Sequence, residues 1–312
     1  MIAILSRRTP VLRRALALLA VLTTSAAADA PAQSPRDRLL VRASWLAAHL
    51  DDPDLVLLHV GEADVYARAH IPGARFVRLH DLSTPHRDGE RMLQMLPPEQ
   101  LRERLQALGI SSDSRIVVYY NDEHVSPATR VVFTLAYAGL GGRTSLLDGG
   151  MDAWKAAGQR VTDAVPPARR GTLAALRPQS DLIVDAEWVR RNASAPRVAL
   201  VDGRAAVFYD GVQAGSGGRA GHIPGARSIP FTEIVDESLR VKSPAELAAL
   251  FQRAGVRPGD TVVGYCHIGQ QATAVLFAAR TLGYDVKLYD GSFEDWGSRA
   301  DLPVETTAGR RR

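Results

Sequence analysis

Tyr265-Cys266-His267-Ile268-Gly269-Gln270-Gln271-Ala272-Thr273 holds the only cysteine in 312 residues. Before it, Thr261-Val262-Val263-Gly264-Tyr265 is short, apolar and β-branched, the pattern of a buried strand. After it, Ala272 to Leu282 is alanine-rich and carries Val275, Leu276 and Phe277, which predicts a helix closed by Gly283. The thiol is therefore expected on a tight strand-to-helix loop, where unpaired backbone N–H groups and the positive end of a helix dipole converge. Such a position is one recognised way to favour the thiolate, the reactive form of cysteine. Gly269, in mid-loop, lets the chain curl so that successive N–H groups face inward as an anion-binding nest. Most lone cysteines are small buried hydrophobes. A structural cysteine has no need of a glycine-containing loop that ends at a helix N-terminus, so the functional reading prevails.

Outward from the loop, the chain repeats itself. His70-Ile71-Pro72-Gly73-Ala74-Arg75 recurs as His222-Ile223-Pro224-Gly225-Ala226-Arg227. Asp148-Gly149-Gly150-Met151-Asp152-Ala153-Trp154 recurs as Asp290-Gly291-Ser292-Phe293-Glu294-Asp295-Trp296. Between these markers Arg115 to Tyr120 answers Asp260 to Tyr265, and Ala128-Thr129 answers Ala272-Thr273. Two copies of one domain explain the shared order. In each copy strands alternate with helices. The first half predicts strands at Leu55–Val60, Arg115–Tyr120 and Thr144–Leu147, with helices at Pro98–Leu108 and Thr129–Ala138. The second predicts strands at Val198–Asp202, Thr261–Tyr265 and Val286–Tyr289, with helices at Ala245–Ala254 and Ala272–Leu282. That alternation argues an α/β fold, a mainly parallel sheet flanked by helices in each domain. Ligands of such sheets bind beyond the carboxyl ends of the strands, where Cys266 falls.

A strand ending in Cys, a loop with Gly at its third following position, and a helix opening on Ala-Thr resembles the active-site loop of the rhodanese sulfurtransferases. The His-Ile-Pro-Gly-Ala and Asp-Gly-x-x-x-x-Trp stretches resemble the structural signatures of rhodanese domains, and the resemblance runs from about Leu39 to Pro303 in both halves. It implies two tandem rhodanese-like domains: an N-terminal copy at 36–163, a linker at 164–180 and a catalytic C-terminal copy at 181–304. His70 and His222 read as turn residues bonding backbone, and Trp154 and Trp296 as packing residues. The tail after Val304 is polar and is expected to fray.

Opposite Cys266 the first half shows Asn121, followed by Asp122-Glu123-His124-Val125-Ser126-Pro127, a stretch one residue longer than its counterpart before Ala128. It has no thiol and no glycine, and two acids that repel an anion. In tandem rhodaneses the N-terminal copy likewise lacks the cysteine and serves as scaffold. Asp122, Glu123 and His124 are an alternative metal site, but three neighbours on a surface loop are ordinarily just solvated. No metal and no cofactor are expected.

Sulfur transfer requires an ionised thiol, stabilisation of a terminal persulfide charge, and a cation for the donor. Cys266 supplies the first, and the N–H groups of His267, Ile268, Gly269, Gln270, Gln271 and Ala272 the second. Val201-Asp202-Gly203-Arg204 resembles the Asp-x-Arg of tandem rhodaneses, whose arginine holds the donor's anionic end. Arg204 is thus the candidate substrate residue, against a structural pair with Asp202. Arg219 is a weaker candidate. The animal-type thiosulfate enzymes place basic residues directly after Cys, and the mercaptopyruvate enzymes Gly and Ser. His267 and Ile268 match neither, and His267 is either a cation or a neutral donor. The expected donor is thiosulfate, with cyanide or a thiol as acceptor. The alternatives are 3-mercaptopyruvate as donor, or a persulfide carrier without turnover. A cysteine phosphatase needs an arginine closing a seven-residue loop, where Ala272 and Gln271 stand here. A redox sensor has no second cysteine for a partner.

At the N-terminus Arg7, Arg8, Arg13 and Arg14 precede the apolar run Ala15–Leu22 and the small residues Thr23 to Ala28, the pattern of a secretory signal. The apolar run is too short to span a membrane. Cleavage after Ala28 or Ala30 both fit, and Ser6-Arg7-Arg8 hints at a twin-arginine route. Residues 1–28 hold four basic residues and no acids, so 34 of each sign remain and the net charge of +4 belongs to this segment. A balanced chain has no basic footprint for nucleic acid. Export, to a bacterial periplasm, is expected, with small-molecule sulfur donor and acceptor as partners, no membrane contact after cleavage, and a monomer as the default.

Overall fold

The structure, a computed structural model, describes residues 2, 33–85, 87–121 and 124–307. The remainder of the stretch read as an export signal, and Asp122 and Glu123, lie outside the described residues. Apolar β-branched runs become strands buried on both faces, as parallel sheets require. The first half builds β1 (Leu40–Val41), β2 (Leu55–Val60), β3 (Arg75–Val77), β4 (Arg115–Tyr120) and β5 (Thr144–Leu147). The second builds β6 (Ile183–Val184), β7 (Val198–Asp202), β8 (Arg227–Ser228), β9 (Thr261–Tyr265) and β10 (Asp285–Tyr289). Strand order is β1-β5-β4-β2-β3 in one sheet and β6-β10-β9-β7-β8 in the other, the same topology twice. Every strand pair is parallel.

The helices of the first half are α1 (Pro35–Leu39), α2 (Ala43–His49), α3 (Ala63–Arg68), α4 (Pro98–Ala107), α5 (Ser126–Tyr137) and α6 (Gly150–Ala156). Those of the second are α7 (Ala186–Asn192), α8 (Ala206–Tyr209), α9 (Pro244–Arg253), α10 (Gln271–Thr281) and α11 (Ser292–Ser298). Three helix starts differ from expectation. Helix α5 begins at Ser126 rather than Thr129, with Pro127 in its first turn, and α9 begins at Pro244, capped by Ser243 and Glu246. Proline is favoured at a helix start because its missing N–H has no intrahelical partner there anyway. Helix α10 begins one residue early, at Gln271.

Helices α5 and α10 are buried almost all round and share one core cluster with the inner faces of both sheets. The Thr129 and Thr273 hydroxyls lie 3.0 Å apart. Equivalent residues of the two copies therefore meet, and a pseudo-twofold axis passes between them. Docking is reciprocal across it. Asp290 Oδ2 accepts from Met95 N–H and Asp148 Oδ1 from Val241 N–H, each at 2.9 Å. Leu93 and Leu239, in the two docking segments, both take left-handed backbone, at φ 54 and φ 56. Separate outer cores gather around Trp154 and Trp296. Their indole N–H groups donate to Arg160 O and Pro303 O, as packing residues would.

The linker is irregular but held: Ser112 N–H donates to Thr172 O, Gly171 N–H to Gln106 O, and Leu173 is buried. The expectation that the tail frays after Val304 is corrected at Glu305, and residues 308–312 lie outside the described residues. Glu305 and His222 exchange both backbone hydrogen bonds as an isolated antiparallel bridge.

The register between the halves also needs correction. Tyr119 hydroxyl accepts from Ile71 N–H and Tyr265 hydroxyl from Ile223 N–H, both at 3.1 Å. Because Ile71 and Ile223 occupy the same place in the repeat, Tyr119 is the counterpart of Tyr265. Tyr120, not Asn121, therefore stands opposite Cys266, and the first-half loop is longer by two residues rather than one. Adjacent tyrosines allow either alignment by eye, but alternate residues of a strand face opposite sides and only one alignment keeps the faces.

Candidate active site

Cys266 follows the last residue of β9 and is fully buried. Its N–H donates to Ser292 Oγ at 3.1 Å, and its carbonyl accepts from Phe293 N–H at 2.9 Å. The next carbonyls are fastened in turn. His267 O accepts from Glu294 N–H at 3.0 Å, Gly269 O from Arg130 Nη1 at 3.1 Å, and Gln270 O from the Thr273 hydroxyl at 2.6 Å. In a planar trans peptide the C=O and the following N–H point in opposite directions. Tying these carbonyls away from the loop thus aims the N–H groups of His267, Ile268, Gln270 and Gln271 the other way. Among the described residues, none of the six N–H groups from His267 to Ala272 has an acceptor. Gly269 makes the curl possible at φ +82. The loop thus has the backbone geometry of an anion nest at a helix N-terminus.

Arg204, just past β7, is fully buried. Its Nε lies 2.9 and 3.0 Å from the two Asp202 carboxylate oxygens, and Nη2 bonds Asp202 Oδ2 and Gly221 O. The guanidinium carbon sits 4.1 Å above the Phe293 ring. Burial works against the charge, but the hydrogen bonds and charge of Asp202 outweigh it and hold the guanidinium above the ordinary arginine range. The structural pair leaves room for a substrate role, because among the described residues the buried Nη1 has no hydrogen-bond partner. An unpaired donor held that rigidly is suited to an oxyanion.

His267 resolves as a neutral donor or acceptor rather than a cation. Burial first, and the neighbouring Arg204 charge second, lower its pKa to about 4. Its Nδ1 faces Ser216 N–H at 3.4 Å, and its ring stands edge-on to Phe208 with centroids 4.5 Å apart. Ile268 and Gln270 are half-buried, Ala272 is buried, and Gln270 Nε2 donates to Ser126 Oγ of the first half at 3.2 Å. Gln271 Oε1 is buried without a partner. Arg219 is structural, donating to Arg299 O and Leu302 O. His70 and His222 bond the backbone carbonyls of Tyr66 and Tyr209.

The same positions of the first half carry other groups. Tyr120 replaces the thiol, and its phenol donates to Leu239 O at 2.6 Å. His59 replaces Asp202, bonding the Tyr119 hydroxyl at 2.9 Å, and Gly61 stands where Arg204 would be. Among the described residues no cluster of three His, Cys, Asp or Glu could hold a metal ion.

The family model for the rhodanese-like domain matches residues 42–157 and 185–299, one match on each sheet. The chain belongs to the rhodanese family. A Pseudomonas aeruginosa protein named probable 3-mercaptopyruvate sulfurtransferase is 36% identical over 279 residues, covering 86% of this chain and 98% of that one. An Azotobacter vinelandii thiosulfate sulfurtransferase is 31% identical over 271 residues, covering 86% and 97%. Among solved structures, an anaerobic ergothioneine biosynthesis enzyme from Chlorobium limicola superposes with a TM-score of 0.78 at 22% identity, over 87% of this chain and 71% of that one, and shows the fold alone.

Several residues at this rhodanese site escape sequence reasoning. Ser292 holds the Cys266 N–H in left-handed backbone at φ 51, where the first half has Gly150 at φ 52. A serine at a glycine position was the readable signal. Arg130, inside an apolar helix, was another. Ser216 and Phe208 lie on a segment longer than its first-half counterpart: twenty positions separate Asp202 from His222, but eleven separate His59 from His70. Nothing local to that segment ties it to His267.

Proposed function

We propose that this rhodanese-family protein is a sulfurtransferase that moves sulfane sulfur from thiosulfate through a Cys266 persulfide to cyanide or a thiol. The observation that carries the reading is a lone buried thiol at the head of a loop whose six N–H groups lack acceptors among the described residues, with the Arg204 charge close enough to interact with it and Nη1 of that arginine unpaired. In the first half-reaction the Cys266 thiolate attacks the outer sulfur of thiosulfate. The new Sγ–S bond forms as the donor's S–S bond breaks, and that bonding pair leaves with sulfite. The terminal persulfide sulfur extends about 2 Å beyond Sγ, a disulfide bond length, toward the nest donors. In the second half-reaction cyanide attacks that sulfur, the Sγ–S pair returns to Cys266, and thiocyanate departs. Nest donors held in place before reaction stabilise the charge without reorganisation.

An enclosed site, with Cys266 and Arg204 fully buried and Gly215 packed against Arg204 Nη1, supports a small dianion as donor. Neutral His267 leaves Arg204, with its unpartnered Nη1, as the cation available to a donor, since Arg130 is already engaged by Gly269 O, Leu93 O and Asp290. The rival donor, 3-mercaptopyruvate, is favoured by the name of the Pseudomonas relative. We further propose that the first domain is non-catalytic, given Tyr120 and Gly61, and that residues 1–28 direct export to a periplasm.

Steady-state transfer to cyanide, with thiosulfate and 3-mercaptopyruvate compared, tests the reading. Cys266→Ser should abolish turnover. Arg204→Lys, which keeps a buried charge beside Asp202 but loses the guanidinium fork, should lower kcat/KM for the true donor at least about 10-fold. Preference for mercaptopyruvate would keep the mechanism and replace the donor. A stable persulfide without turnover would make the protein a carrier.

A further inference from the structure

Arg130 is a guanidinium with 1% exposure on α5, followed by Val131, Val132 and Phe133. It belongs to the half without a thiol, yet it reaches the half that has one. Nη1 donates to Gly269 O at 3.1 Å, Nη2 donates to Leu93 O, and Nη1 lies 2.8 Å from Asp290 Oδ1 as an ion pair off the hydrogen-bond axis. Packing alone does not call for it. The equivalent residue of α10, one after Thr273, is Ala274, which fills its place in the same core. Burying a guanidinium is costly unless every contact is made, so a charge here points to a purpose beyond volume.

That purpose is visible in the peptide it holds. Gly269 is left-handed, and glycine without a Cβ has wide latitude in φ and ψ. Left to itself, the Gly269–Gln270 peptide is the least constrained of the loop. Holding its carbonyl on Arg130 turns the Gln270 N–H, on the same rigid plane, toward the loop interior. The neighbouring carbonyls are fastened by groups of the second half, Phe293, Glu294 and Thr273. Only this one is fastened from across the domain boundary.

We propose that Arg130 is a positioning residue for sulfur transfer: the thiol-free domain supplies the side chain that fixes the Gly269–Gln270 peptide and so completes the anion nest around Cys266. This rests on reading Cys266 as the persulfide-forming nucleophile.

The test uses the full chain and the variants Arg130→Met and Arg130→Lys. Single-turnover persulfide formation at saturating thiosulfate or 3-mercaptopyruvate is followed by intact mass. Arg130→Met should slow it at least about 10-fold, below the loss seen when one preorganised donor is removed outright, with KM changed less than about threefold. Arg130→Lys, able to reach one carbonyl but not both, should recover part of the rate. Alkylation of Cys266 supplies a readout that needs no sulfur donor. Anionic iodoacetate reports the nest and neutral iodoacetamide reports mere access. The ratio of their rates should fall at least about threefold in either variant, whereas simple loosening would raise both rates together.

If Arg130→Met is not recovered folded, Arg130→Lys against the unaltered chain decides. Persulfide rates and alkylation ratios equal to those of the unaltered chain would overturn the proposal. Absence of any persulfide in the unaltered chain, with the alkylation ratio still falling in the variants, would overturn the sulfurtransferase reading and leave the positioning role standing.

Discussion

Ser292 shows how one residue holds two opposing demands. Its backbone, at φ 51, is one that side chains with a Cβ adopt only at a cost of roughly 1–2 kcal/mol. Its hydroxyl accepts the buried Cys266 N–H, and an orphaned buried donor costs about 1–3 kcal/mol. Replacement therefore has a predictable order. Ser292→Ala loses the acceptor and keeps the strain, while Ser292→Gly loses the acceptor and relieves the strain. Denaturant midpoints should rank the unaltered chain first, Ser292→Gly second and Ser292→Ala last, the last two about 1 kcal/mol apart. An alanine variant as stable as the glycine variant would mean that the left-handed backbone carries no strain.

At the scale of elements, the inner strands are the most legible part, while the short edge strands β1, β3, β6 and β8 are not legible in sequence. Leu55–Val60, Arg115–Tyr120, Thr144–Leu147, Val198–Asp202 and Thr261–Tyr265 begin and end where their apolar runs do, because both faces of a parallel sheet are covered. Helix starts are less so than the inner strands: alanine-rich cores are easy to see, while Ser126-Pro127 and Ser243-Pro244 look like loop in sequence and open α5 and cap α9 in the fold. The candidate active-site loop was legible in composition, with a glycine where the chain curls. Its fastening was not, since Phe293, Glu294 and Arg130 come from elsewhere and only folding brings them together. The conformation of Gly269 yields a further prediction. A Cβ there would meet Asp290 O at 3.0 Å and Arg130 Nη1 at 3.1 Å. Gly269→Ala should cost about 1–2 kcal/mol in stability from left-handed backbone alone, and should slow persulfide formation more than it weakens donor binding. Unchanged melting and turnover would show that the loop does not need this curl.

For the whole molecule, the repeat was readable from its markers, and the pseudo-twofold contact through Thr129 and Thr273 follows from it. What the copies do to each other was not readable, because reciprocal docking depends on Asp148, Asp290 and the two segments around Leu93 and Leu239, which look like ordinary surface loops in sequence. Stability of the whole should fall in acid. His59 is fully buried, and burial first and the nearby His70 second lower its pKa to about 4 from 6.5. The unfolded chain binds that proton more readily, so stability is complete above pH 6.5 and declines as pH falls toward 4. The loss from this group is at most about 3 kcal/mol. In His59→Asn the dependence of unfolding free energy on pH in that window should flatten. An unchanged slope would assign the acid sensitivity elsewhere, for instance to His267.

The reciprocal docking has a consequence for inheritance. Each half carries, in its own sequence, residues whose contacts lie in the other: Arg130, Met95 and Tyr120 in the first, Asp290, Val241 and Leu239 in the second. A recombination that joins the first half of one lineage to the second half of another scrambles these pairings, and with them the core that the two halves share. The two copies, although they descend from one sequence pattern, therefore cannot drift as independent modules. A change at one face of the pseudo-twofold sets the terms on which its partner face can change.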